Sequence, residues 1–184
     1  MELIVLERRF DPPLRIDDIP AMGTRAAWCM EQHRVSYLTS LLSLDGRVLL
    51  CLFEAPDAEA VRDMLRQLDA PFERLWTATI HAPPSLPAHA SLATKDDAVV
   101  VVERSFAEPT DFTTIQAIEE RGAWCLDQYR VRWARSYFAR DRRRMICVYA
   151  APDAEAVRRA QAQAGLPFER VWAAALYEPR ASQG

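Results

Sequence analysis

The chain has 184 residues, 50% hydrophobic and 27% charged, with a formal net charge of -3. That composition is ordinary for a globular protein, and its acidic balance excludes a general attraction to nucleic acid or anionic lipid. The apolar run before Glu7 and Arg8 is only about four residues, too short for a signal-peptide core or a membrane span, so a cytoplasmic protein with its four cysteines reduced is expected.

Residues Leu3 to Pro83 recur at Val99 to Pro179 with a constant displacement of 96 positions and no gap. Glu7 matches Glu103, Trp28 and Cys29 match Trp124 and Cys125, and APDAEAVR at Ala55 to Arg62 returns unchanged at Ala151 to Arg158. An internal repeat of this length means two copies of one module. The expected organisation is a repeat over 1–83, a Pro- and Ala-rich linker over 84–97, a second repeat over 98–180 and a disordered tail over 181–184.

Each copy opens on an aliphatic strand, Leu3 to Phe10 and Val99 to Phe106. The apolar spacing then becomes helical from Ile19 to His33, with Ile19, Met22, Ala26 and Met30 on one face, and again from Ile115 to Tyr129. Two strands follow, Val35 to Leu42 and Arg47 to Glu54. They are joined through Asp45-Gly46, a pair that supplies the positive φ of tight hairpins. The second copy has Arg140 to Arg143 there, without glycine, which predicts a longer or differently twisted turn. APDAEAVR opens the second helix, whose inner face is Val61, Met64, Leu65 and Leu68, and the last strands are Phe72 to Ile80 and Phe168 to Leu176.

The order βαββαβ is that of a ferredoxin-like sandwich. Its strands are apolar in both rows, Leu3 to Leu6 and Val99 to Val102 for example, so both sheet faces need cover. The fold class expected is therefore α+β, two ferredoxin-like βαββαβ repeats packed as a pseudo-dimeric α/β barrel.

Several residues are candidates for chemistry. Glu7 and Glu103 share a strand row with Val5 and Val101; facing an interior they would form an acid/base pair, and at a strand end they would be polar rim. Arg25, Trp28 and Gln32, repeated as Arg121, Trp124 and Gln128, stand on a helix face away from the core. There they could hold a ligand, pack on a partner, or lie under the linker or tail. Cys51 and Cys147 sit mid-strand, where a thiol is either a small hydrophobe or a nucleophile. His81 and His89 flank the linker as solvated residues.

The blocks VLERRF at Val5 to Phe10, VSYLTSLLSLDGRVLLCLFEAPDAEAVR at Val35 to Arg62 and PFERLW at Pro71 to Trp76, with their second-copy counterparts, resemble the ferredoxin-like family known as domain of unknown function 4242. Some of its members are nickel-binding, so the resemblance implies a divalent transition metal, nickel, as cofactor, for which Glu7, Glu103, Cys51 and Cys147 are the metal candidates. The helices here hold only His33, replaced by Tyr129 in the second copy, so imidazole ligands for nickel are nearly absent.

Three functions follow as expectations. The first is a cytoplasmic protein binding a small-molecule or metal ligand. The second is a cofactor-free enzyme of the dimeric α/β barrel type, using Glu7 and Glu103 with Tyr37, Trp133, Arg135 or Tyr137. The third is an interaction module working through Trp28 and Trp124. None calls for nucleic acid or a membrane, and each leaves room for a homodimer.

Overall fold

The structure, a computed structural model, describes residues 1–87 and 90–179. His89 and the tail expected over 181–184 lie outside the described residues. The chain forms two compact units. The first comprises Met1–Ala78 together with the chain from Ala175, and the second comprises Thr79–Ala174.

In the first unit β1 (Glu2–Arg9) leads through a short 3-10 turn to α1 (Ile19–Gln32), followed by β2 (Ser36–Ser43), β3 (Val48–Ala55), α2 (Ala58–Gln67) and β4 (Arg74–His81). β1 lies between β3 and β4, and β2 flanks β3, all antiparallel. Leu6 pairs with Cys51 and with Leu75, and these three join Ile4, Leu49 and Phe53 in a core with Met64 and Leu65 of α2. The alternate row, Val5 and Glu7 with Leu50, Leu52 and Trp76, therefore faces away from the helices. Both rows of β1 and β3 are buried.

The second unit repeats the plan with β5 (Ala98–Ser105), α3 (Phe112–Arg121), α4 (Ala123–Gln128), β6 (Arg132–Ala139), β7 (Arg144–Ala151), α5 (Ala154–Gln163) and β8 (Arg170–Tyr177). β5 again lies between β7 and the last strand. The C-terminal residues of β4 (Thr79–His81) belong to the second unit and those of β8 (Ala175–Tyr177) to the first. Thr39 donates its hydroxyl to the Tyr177 carbonyl at 3.0 Å in the first unit, and Thr79 donates to the Phe138 carbonyl at 3.3 Å in the second. The α2 and α5 helices start alike, since Asp57 and Asp153 accept from the backbone N–H groups of Ala60 and Ala156 and so satisfy helix-end donors.

Three local expectations need correction. The glycine-free turn is neither longer nor differently arranged: Arg142 N–H bonds the Ala139 carbonyl as Gly46 N–H bonds that of Ser43, and Arg142 takes a φ of 59° where Gly46 has 71°. An arginine tolerates the left-handed region at a modest cost, whereas a Cβ at Gly46 would strike the Leu14 carbonyl oxygen at 2.3 Å. The single helix expected from Ile115 to Tyr129 is two, parted at Gly122, where a Cβ would lie 2.5 Å from that of Ala164. His81 is half-buried rather than freely solvated: it stacks on Phe112 with ring centroids 3.6 Å apart and hydrogen-bonds Thr79 at 2.9 Å, and burial lowers its pKa.

Gly23 is the opposite case, since a Cβ there meets nothing within 4 Å inside α1. Gly23→Ala should raise stability in urea unfolding by about 1 kcal/mol through helix propensity, and Gly122→Ala should lower it by about 1–3 kcal/mol through overpacking on Ala164.

Candidate functional site

Between α1, α2 and the helix-facing row of the first unit lies a cavity of about 700 Å³. Its walls are mostly apolar, with Met30 from α1, Phe53 from β3, and Met64, Leu65 and Leu68 from α2. Polar groups enter at few points. Arg8 closes the Ile4, Leu6 row of β1, donating from Nε to the Pro71 carbonyl at 3.0 Å and lying over the Phe10 ring at 4.9 Å. Burial pulls its pKa below the ordinary arginine value, partly offset by nearby Cys51. Among the described residues Arg8 has no carboxylate partner. Asp69, the one acidic residue on the wall, is exposed and makes no ion pair with it.

Tyr37 and Ser40 complete the polar edge. The Tyr37 hydroxyl donates to Ser40 Oγ at 2.7 Å, and Ser40 Oγ donates to Cys51 Sγ at 3.0 Å. Burial pushes the Cys51 thiol up to about 11 and raises the Tyr37 phenol, so both stay protonated at neutral pH. Tyr37 reaches this side because β2 carries a bulge between Tyr37 and Thr39, which puts Tyr37 and Ser40 on one face. Trp133 repeats the geometry in β6, donating from Nε1 to Ser136 Oγ at 3.0 Å next to Cys147.

In the second unit the aligned region is occupied by polar side chains. Arg104, the counterpart of Arg8, donates to the Pro167 carbonyl, to Gln161 Oε1 at 2.6 Å and to the Tyr149 hydroxyl at 3.5 Å. Glu119 of α3 stands 3.8 Å from it and accepts the Tyr149 hydroxyl at 2.8 Å. Burial raises the Glu119 pKa against the lowering by Tyr149 and Arg104. The aligned positions in the first unit are Gly23 for Glu119, Phe53 for Tyr149 and Leu65 for Gln161.

The residues singled out by sequence fall into separate places. Glu7 is buried on the face away from the helices, where it accepts Trp76 Nε1 at 2.9 Å and pairs with Arg74 at 3.5 Å. Glu103 does the same with Trp172 at 2.7 Å and Arg170 at 2.6 Å. Each carboxylate thus binds the first strand of its unit to the last. Trp28 and Trp124 are 54% and 59% exposed, while the neighbouring Cys29 is fully buried with Sγ 3.7 Å from the Met64 carbonyl. Arg25 lines the cavity, Gln32 meets Gln67 at 3.5 Å, and Gln128 meets Gln163 at 3.5 Å. Arg121 and Trp124 border a small depression of about 320 Å³. Arg135 is buried and donates to the carbonyls of Pro87 at 3.1 Å and Ala90 at 2.8 Å.

The pleat divides the sequence candidates between two faces. Cys51 faces the helices and Glu7 the other way, as do Cys147 and Glu103, so neither unit can bring its cysteine and glutamate to one metal ion. The bulges likewise set Tyr37 and Trp133 on the helix side, whereas Glu7 and Glu103, with Arg135 and Tyr137, occupy the opposite row. Sequence reasoning missed Arg8, Arg104, Glu119 and Tyr149. The available signal was a repeated arginine in an aliphatic strand row and the Gly23 to Glu119 difference between aligned copies.

Comparison with known proteins adds the following. Residues 5–77 and 101–173 each match the family model described as nickel responsive protein SCO4226-like. No curated protein matches the chain. Among solved structures it is similar to TA0507, a candidate chlorite dismutase, at 12% identity over 97% of this chain and 96% of that one with a TM-score of 0.53. It is also similar to chlorite dismutase from Candidatus Nitrospira defluvii in complex with imidazole, at 10% identity over 95% and 90% of the two chains with a TM-score of 0.53. The likeness shows the fold, two ferredoxin-like repeats of the dimeric α/β barrel class. No described helix is long and apolar enough to cross a membrane. Nickel, which the family name suggests, does not fit the described residues: no three His, Cys, Asp or Glu side chains cluster among them, and the repeated glutamates are taken by Arg and Trp donors.

Two outcomes are expected. Glu119→Ala should destabilise the protein by about 3 kcal/mol in denaturant unfolding, because it leaves the Arg104 guanidinium buried without its carboxylate. The folded Cys51 thiol holds its proton more tightly than the unfolded one, so its contribution to stability is full below pH 9.0 and is lost as pH rises through about 11. Iodoacetamide at pH 8 should accordingly label Cys51 only after unfolding, read by peptide mass spectrometry.

Proposed function

The chain belongs to the SCO4226-like nickel responsive protein family, and on that premise we propose that it is a ligand-binding protein that holds a small, largely apolar organic molecule in the cavity of its first unit. The observation that carries this reading is the cavity itself. Its volume of about 700 Å³ and its wall of Met, Leu and Phe side chains with few polar groups match the usual form of a small-molecule site. The aligned region of the second unit is filled by Glu119, Tyr149 and Gln161, so the space is particular to one copy and is not a packing defect of the repeat.

The catalytic alternative has less to support it. Its residues are divided between opposite faces of the sheet, and the thiol and phenol nearest the cavity are protonated and bonded to one another through Ser40. A site of this kind binds and orients a guest, and the one carboxylate on its wall, Asp69, is exposed to solvent.

The expectation is that the neutral probe 2-naphthol binds one per chain with a Kd on the order of 100 μM by calorimetry. Ala26→Trp, which places an indole in the cavity, should weaken it by about ten-fold or more. Absence of binding to the unaltered protein, or unchanged binding to the variant, would remove this reading.

A further inference from the structure

The two units differ in how they treat one guanidinium. Arg8 and Arg104 occupy aligned positions at the end of the first strand, and each donates to the carbonyl of the aligned proline, Pro71 or Pro167. Beyond that anchor the environments diverge. Arg104 is met by an amide oxygen, a phenol and a carboxylate, from Gln161, Tyr149 and Glu119. At the same three places Arg8 has Leu65, Phe53 and Gly23. All three replacements remove a polar partner, and they come from three different elements, α2, β3 and α1. What remains is a cation at the wall of an apolar cavity, with open space where the Glu119 side chain would start, since a Cβ on Gly23 meets nothing within 4 Å.

The second unit therefore shows which group this arginine position accepts from the direction of the first helix. We propose that the first unit binds a small organic acid with an apolar body, whose carboxylate pairs with Arg8 where the Glu119 carboxylate pairs with Arg104. This rests on the cavity being a ligand site, and it adds the chemical class of the ligand. A neutral ligand would leave Arg8 without an anion in a largely apolar surrounding, whereas a monocarboxylate supplies charge-assisted hydrogen bonds there and leaves its hydrocarbon part to Met30, Phe53, Met64 and Leu68. The Tyr37 and Ser40 hydroxyls are committed to Ser40 and Cys51, and Arg25 on the same wall is exposed to solvent, so the half-buried Arg8 is the cation that selects the head. The second unit carries its own carboxylate and takes no acid, which sets the stoichiometry at one per chain.

The test compares 2-naphthoate with 2-naphthol, the same ring system with and without the charge, by calorimetry at pH 7. The unaltered protein should bind one 2-naphthoate per chain about ten-fold more tightly than 2-naphthol. Arg8→Met should abolish that difference while retaining 2-naphthol. Gly23→Glu, which gives the first unit its own carboxylate in a place with room for it, should abolish 2-naphthoate binding even if Arg8→Met fails to fold. Binding of 2-naphthol with 2-naphthoate no tighter, or 2-naphthoate binding unchanged in Gly23→Glu, overturns the assignment of an acid and leaves the cavity as an apolar site. Failure of both probes to bind overturns the acid and the ligand site together.

Discussion

A guanidinium set between a sheet and the helices that cover it must be met by anions, carbonyls or water, because it cannot shed its charge. Both units face this requirement at the same point, the last helix-facing residue of the first strand, and both begin to answer it with the carbonyl of the proline that precedes the final strand. Much of each unit's helix side can be read as the remainder of that answer. In the second unit it is a polar cluster that binds α3, α5, β5 and β7 together. In the first it is an opening.

The opposite face of each sheet poses a different problem with the same residue types. There Glu7 and Glu103 are the buried charges, and each is met by an indole N–H and a guanidinium from the last strand of its own unit. These two carboxylates are thus each met within their own unit, and the pleat keeps them apart from the arginines on the helix side. That separation is why a metal site drawn from both the thiols and the carboxylates has no geometric basis, although the residue types on their own would suggest one.

The repeat, its element order and its fold class were legible because each rests on local signals that occur twice: aliphatic runs, a change to helical spacing, and Asp before the second helix. The working region was far less so. Its asymmetry depends on Gly23, Phe53 and Leu65 in one copy against Glu119, Tyr149 and Gln161 in the other, residues distant in sequence that meet only in the folded unit. The bulges after Tyr37 and Trp133 leave no mark in an alternation count, yet they decide which face those aromatic rings occupy. The need for glycine at 122 follows from the approach of Ala164, a tertiary contact that helix periodicity does not carry. Arg142 shows the converse, a backbone turn maintained without the residue that ordinarily announces it.

The duplication itself has a consequence for how such a protein can evolve. A homodimer of a single repeat must encode one residue for both copies of a position, so a glycine that opens one half opens the other, and a glutamate that fills one fills both. Joining the copies in one chain removes that coupling. The two halves can then differ at a single position, as they do at Gly23 and Glu119. Selection on such a molecule acts on a difference between halves that no symmetric assembly of the ancestral unit could have presented.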